Sequence, residues 1–211
     1  MTNLSAQPSD NVIPEAHSYP ALAIGVTGHR ALTDIDRLAA GIDEAAATIA
    51  QRFPSHPMQV LSSLAEGADR LVARRLMARH AARLIVPLPL PRAQYLQDFP
   101  MPASKAEFEE LIRLADRVVE LPQAPARDEA YRQAGVYVID HCDVLLAVWD
   151  GQAPRGAGGT GEIVQLARQR GLPTVWVHTS EDNRCAGGPT GLEPGRANVT
   201  YERLSNLTAR Y

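Results

Sequence analysis

Cysteine is scarce. Only Cys142 and Cys185 occur in 211 residues, far apart and without metal-ligand spacing, so neither a disulfide framework nor a metal centre is expected. Cys142 reads as a buried apolar residue and Cys185 as a loop thiol. No stretch of about 18 apolar residues exists, so no membrane span is expected. The first twenty residues lack a cationic start followed by an apolar run, so no secretory signal is expected either. Residues 1–20 read instead as a flexible leader, polar and rich in Pro and Ser. A basic excess is also missing. Lys and Arg number 21 against 24 Asp and Glu, a net charge of -3, which argues against a dedicated nucleic-acid binder. Arg74-Arg75 with Arg79 makes a local basic turn that reads as a solvated helix face. These absences together suit a cytoplasmic protein.

What is present is an alternation. An apolar strand over about Ala21–Val26 is followed by Ile35, Leu38, Ile42, Ala45, Ile49 and Phe53, whose three- and four-residue steps mark one helix face. Thr33 or Asp34 would cap that helix and Pro54 lies beyond its end. Strands then recur at Gln59–Ser62, in "ARLIVPL", "RVVEL", "DVLLAVW" and "PTVWVH". Helices with Leu71, Val72 and Leu76 or Phe108, Leu111 and Ile112 inward separate them. Ser104 and Glu107 have the spacing of a capping box. About six strand–helix alternations predict an α/β fold: a Rossmann-like, doubly wound, mainly parallel sheet in a three-layer α/β/α sandwich. One such domain fits residues 21–180. Residues 181–211 read as a C-terminal extension, mostly loop, with a short helix at Tyr201–Ala209.

In such sheets ligands bind beyond the carboxyl ends of the strands. Three loops are expected at that edge. The first is "TGHR", Thr27-Gly28-His29-Arg30. Gly28 permits a close backbone approach, and Arg30 can grip a phosphate or carboxylate with two hydrogen bonds. His29 can stack on a base or bond a ribose. This loop lacks the full G-x-G-x-x-G fingerprint, so an ordinary dinucleotide dehydrogenase is not supported. The second is "SSLAEGADRL". Here Ser62, Ser63 and Gly67 precede a helix whose N-terminus favours an anion, while Glu66 and Asp69 complement the helix dipole. The third is "WDGQAPRGAGGTGEIV", with five glycines in the eleven residues from Gly151 to Gly161. Gly158-Gly159-Thr160 has the form of a phosphate cradle. Asp150 at the strand end can meet a ribose hydroxyl, and Glu162 in the first helical turn serves either dipole compensation or catalysis. No "GK[ST]" ending is present, which argues against Walker-type ATP hydrolysis. The Pro-rich segment from Pro87 to Pro102 either covers the pocket, with Tyr95 or Phe99 stacking on a base, or packs as a surface loop.

"GVTGHR", "LSSLAEGADRLVA" and "DGQAPRGAGGTGEIV" together resemble the SLOG superfamily of Rossmann-like domains, over roughly Leu22 to His178. That superfamily groups the DNA-processing protein DprA, the LOG cytokinin-activating enzymes and many bacterial proteins. "LAEGADRLVARRLM" is similar to the DprA-type loop Gly-Leu-Ala-x-Gly-Ile-Asp. The resemblance implies a nucleotide or ADP-ribose-like ligand, with Gly28, Gly67, Gly158, Gly159 and Thr160 lining its pocket, and it favours a homodimer. The LOG motif is Pro-Gly-Gly-x-Gly-Thr-x-x-Glu, with a catalytic glutamate. Aligned on Gly159-Thr160, that position holds Ile163, and Glu162 comes one residue early, a turn of about 100° on a helix. "CDVLLAVWDG" followed by "GTGEIVQLARQRGLP" is also similar to nucleoside 2-deoxyribosyltransferases, whose nucleophilic glutamate is likewise offset from Glu162.

Three readings follow. The first is a nucleotide-binding sensor or regulatory module, needing no cofactor. The second is an N-glycosidase or glycosyltransferase on a nucleoside phosphate, with Glu162 or Asp150 at the reacting carbon and Arg30 on the phosphate. The third is a DprA-type DNA binder, which the acidic balance disfavours.

Overall fold

The computed structural model describes residues 19–154, 156, 158–179 and 197–207. Most of the expected leader, Cys185 and much of the C-terminal extension lie outside these residues. Among the described residues seven strands form one sheet: β1 (Leu22–Gly28), β2 (Met58–Leu61), β3 (Arg83–Leu88), β4 (Arg117–Glu120), β5 (Val144–Trp149), β6 (Thr174–His178) and β7 (Val199–Glu202), in the order β4-β3-β2-β1-β5-β6-β7. The first six are parallel, and β7 runs antiparallel along β6. The fold is therefore Rossmann-like, α/β and three-layered. Six described helices accompany the sheet: α1 (Ile35–Arg52), α2 (Ala68–His80), the single turn α3 (Arg92–Tyr95), α4 (Pro102–Leu114), α5 (Arg127–His141) and α6 (Thr160–Gln169). None of the described helices is long and apolar enough to cross a membrane.

Alternate residues of each central strand feed opposite cores, because strand side chains alternate in direction. On β5, Val144, Leu146 and Val148 join α1, α2 and α4 through Leu38, Ile42, Val72, Leu76 and Phe108. Leu145, Ala147 and Trp149 face α5 and α6 through Val138, Ile139, Ile163, Val164 and Ala167. Such two-sided burial explains why β5 is apolar at every position. Cys142 is fully buried among the second set.

Several local expectations are corrected. The helix expected to be capped by Ser104 starts two residues earlier, at Pro102, where proline's fixed φ suits the first turn. Ser104 and Glu107 do not form a capping box. The Ser104 hydroxyl bonds Glu66 and accepts from Arg70, and Glu107 receives both Arg70 (3.1 Å) and Arg74 (3.0 Å). Two guanidiniums from α2 outcompete the helix's own amides. The Arg74-Arg75 turn is thus an ion-paired face, with Arg75 on Asp43. Asp34 stands at the N-cap of α1 with φ 53°, but its side chain makes no capping bond; its carboxylate takes Arg37 at 2.8 Å. Ile35, expected inward, is exposed because it sits on the first turn, ahead of the sheet. In place of a helix at Tyr201–Ala209 the chain forms β7 and a 3-10 turn over Leu204–Asn206, with residues 208–209 outside the described set.

The β6–β7 edge is pinned by polar contacts. Buried Arg37 donates to the carbonyls of His178 (3.4 Å) and Thr179 (2.8 Å). The His178 ring lies against Trp176 and places Nε2 2.8 Å from the Thr200 hydroxyl. Its Nδ1 is buried without a hydrogen-bond partner among the described residues.

Candidate functional site

The chain leaves β1 outward through β2, β3 and β4, then returns to place β5 on the other side of β1. The helices following β1 and β5 consequently pack on opposite faces, and a crevice opens between the two strand ends. This is the switch point at which open α/β sheets bind ligands. A cleft of about 390 Å³ lies there, within the usual range of small-molecule sites.

The first wall is the end of β1. Thr27, Gly28, His29 and Arg30 all line the cleft. The His29 amide bonds the Val148 carbonyl at 3.1 Å, tying the loop to β5. Its ring reaches Asp150, with Nε2 3.1 Å from Oδ1 and 3.2 Å from the Asp150 amide nitrogen. Protonated, that nitrogen donates to the carboxylate; unprotonated, it accepts from the amide. Arg30 is exposed and stands over the Tyr131 ring, 5.2 Å from its centroid, with no carboxylate partner among the described residues. Among the described residues Arg30 is the arginine that lines the cleft.

The second loop is closed down on the first. Gly67 has φ +79°, and a Cβ there would sit 2.2 Å from the Arg30 carbonyl oxygen. Only glycine lets the start of α2 press on this backbone, where the Ala68 amide donates to the His29 carbonyl at 3.0 Å. Gly67 itself does not line the cleft, nor does Ser62. Ser62 is fully buried, and its hydroxyl lies 3.1 Å from Asp69 Oδ2 and accepts the Leu64 amide. Ser63 and Asp69 do line the cleft. Burial pushes the Asp69 carboxyl up to about 6, against the opposing pull of Ser62, the Ala65 amide, Arg30 and Arg70.

The third loop supplies Asp150, Gly158, Gly159 and Thr160 to the cleft. Asp150 Oδ1 also accepts the Gln152 amide at 3.0 Å, which shapes the turn after β5. α6 starts at Thr160, and its N-terminus opens into the cleft. Among the described residues the amides of Thr160 and Gly161 have no acceptor. Glu162 points elsewhere. Its Oε1 accepts from Arg132 at 3.0 Å and its Oε2 from the Gly158 amide at 2.6 Å. The neighbouring Ile163 faces the cleft instead.

Helix α5 forms a wall that the strand-edge argument does not include. Tyr131, Ala134, Gly135 and Val138 line the cleft. The close fit of Gly135 to the Ile163 side chain, 2.3 Å from where a Cβ would stand, joins α5 to α6. The small pair Ala134-Gly135 in mid-helix is the sequence signal that could have marked this wall. Tyr95 also lines the cleft, while Phe99 is buried beside it against Phe108. The segment after β3 is thus packed rather than draped over the opening. Among the described residues no group of three or more His, Cys, Asp or Glu side chains is placed to hold a metal.

No family model matches this chain, and no curated protein matches it. Several solved structures are similar, among them the following three. TM1055 shares 12% identity, with 60% of each chain covered and a TM-score of 0.37. The molybdenum cofactor binding protein of the phototrophic bacterium Rippkaea orientalis shares 14%, covering 76% of this chain and 78% of that one, with a TM-score of 0.42. The Moco carrier protein of Chlamydomonas rheinhardtii shares 19%, covering 76% and 77%, with a TM-score of 0.40. The chain spans about 60% of the length of TM1055. These are likenesses of chain path.

Proposed function

We propose that this chain is a sensor or regulatory module of the SLOG type that binds a nucleotide or nucleotide derivative, of the nucleoside-phosphate or ADP-ribose class. Anion recognition falls to the N-terminus of α6, where the amides of Thr160 and Gly161, the Thr160 hydroxyl and the helix dipole meet. Arg30 adds a guanidinium that makes no salt bridge among the described residues. Gly28, His29, Ser63, Gly158 and Gly159 complete the walls. Ser62 and Gly67 act one step back, by holding Asp69 and the first loop.

The observation that carries binding over turnover is the position of Glu162. The one carboxylate near the resembling motifs' catalytic position is bonded on both oxygens, by Arg132 and by the Gly158 amide, and does not line the cleft, whereas Ile163 does. A second reading rests on the His29–Asp150 pair, which does line the cleft. It makes Asp150 the group that stabilises an oxocarbenium-like centre during N-glycosidic cleavage.

Thermal unfolding against AMP, ADP-ribose, NAD, cyclic nucleotides and pyrimidine monophosphates tests the first reading. A ligand at about 100 times its Kd adds roughly 2.7 kcal/mol. The expected result is a shift for one ligand class that disappears in Gly159→Val. Gly159 has φ -77° and ψ 159°, which valine adopts freely, and a Cβ there would lie 3.3 Å from the Gly156 carbonyl oxygen, so that variant fills the cradle at the cost of a small shift in the loop. Release of free base, lost in Asp150→Asn, would favour the second reading. No shift for any ligand would remove both.

A further inference from the structure

The inner end of the cleft holds two polar groups that anion binding does not use. Tyr95 is 1% exposed, lines the cleft, and its hydroxyl has no hydrogen-bond partner among the described residues. Burial and the nearby Asp69 charge hold that phenol above its ordinary range, so it is a standing proton donor. The hydroxyl keeps access to the cleft, and a polar group that lines a cleft is completed by what enters it. Beside it stands Asp69, 7% exposed. Its Oδ2 takes Ser62 and the Ala65 amide, at 3.1 and 3.4 Å, while Oδ1 receives no hydrogen bond among the described residues. Across the cleft from them, Ala134 and Val138 of α5 and Ile163 of α6 present an apolar wall. A sugar, with hydroxyls on every side, would leave polar groups unpaired against it. A flat ring with one polar edge would not.

Resting on the nucleotide reading above, we propose that Tyr95 and Asp69 read the hydrogen-bonding edge of a nucleobase, a planar group offering one donor to the carboxylate and one acceptor to the phenol. The base end of the ligand is then specified by the α2–α3 side of the cleft, and the phosphate end by α6. This makes Tyr95 and Asp69 specificity-determining residues.

The test compares AMP, IMP, CMP and UMP with ribose 5-phosphate, which keeps the anion and loses the base, by calorimetric titration. At least one of the four is expected to bind tenfold or more tightly than ribose 5-phosphate. Tyr95→Phe keeps the ring in its core position, and Asp69→Asn keeps the shape. Each is expected to weaken that mononucleotide about tenfold and to leave ribose 5-phosphate within twofold. Equal affinity of ribose 5-phosphate and all four mononucleotides would overturn the base-edge inference and leave the anion site standing. So would unchanged mononucleotide binding in both variants, each still unfolding cooperatively. No binding by any of the five would remove the nucleotide reading itself.

Discussion

Arg132 and Glu162 join α5 to the start of α6 by a guanidinium–carboxylate contact of 3.0 Å. The same carboxylate holds the Gly158 amide, so one side chain fixes both a helix–helix contact and the loop that enters the cleft. Both partners are partly exposed, and the ion pair alone is worth under about 1 kcal/mol. The bond to Gly158 resembles a helix cap and adds about 1 kcal/mol. Glu162→Ala is therefore expected to lose about 1–2 kcal/mol in urea unfolding, with Glu162→Gln recovering part of it. Ligand affinity in Glu162→Gln should stay within a few-fold. A variant that folds normally, binds normally and loses a measurable base-release activity would instead place Glu162 in catalysis.

Two buried titratable groups pull acid stability in opposite directions. Asp69 is raised from 3.8 to about 6 by burial, opposed by Ser62, the Ala65 amide, Arg30 and Arg70. Its folded-state pKa exceeds the unfolded one, so the folded state holds the extra proton. Its contribution to stability falls as pH rises through that window. His178 is lowered from 6.5 to about 4 by burial and by Arg37. Its folded-state pKa is below the unfolded one, so its contribution is lost as pH falls from about 6.5 to 4. Each swing is on the order of 3 kcal/mol, and over the shared range they largely cancel. Asp69→Asn removes one arm. Its stability between pH 6.5 and 4 should fall by about 3 kcal/mol more than that of the wild type. Equal pH slopes for the two proteins would contradict these assignments.

Gly67 and Gly171 separate backbone strain from steric clash. Both have positive φ, +79° and +69°. A Cβ at Gly171 meets nothing within 4 Å, whereas one at Gly67 lies 2.2 Å from the Arg30 carbonyl oxygen. Gly171→Ala should cost about 1–2 kcal/mol, the price of the left-handed backbone alone. Gly67→Ala should cost clearly more, because α2 and the Thr27–Arg30 loop must move apart. It should also weaken ligand binding, which Gly171→Ala should not. Equal costs in thermal unfolding would argue against the tight seating of α2 on the first loop.

The legible part of this protein is the part written in local pattern. β1 and β5 stand out because a strand buried on both faces is apolar at successive residues. Gly28, Arg30 and Gly158–Thr160 are marked by permissive or charged residues straight after such strands. The one-residue offset of Glu162 is also readable, since a helix turns about 100° per residue. What is not legible depends on distant partners. Ser104 and Glu107 match a local capping pattern, but arginines more than thirty positions away claim them. β7 is four residues long and takes its place from β6 rather than from its own sequence. Tyr131, Gly135 and Val138 line the cleft only because α5 crosses beneath β1, and Tyr95 only because its loop folds inward.

The central claim is that the open N-terminus of α6 receives the ligand's anionic end. A two-dimensional nitrogen–proton NMR titration with the best ligand of the thermal panel tests it most directly. The Thr160 and Gly161 amide signals should shift first and furthest, together with those of His29 and Arg30. Saturating shifts confined to residues outside the cleft, with Thr160 and Gly161 unmoved, would contradict the account.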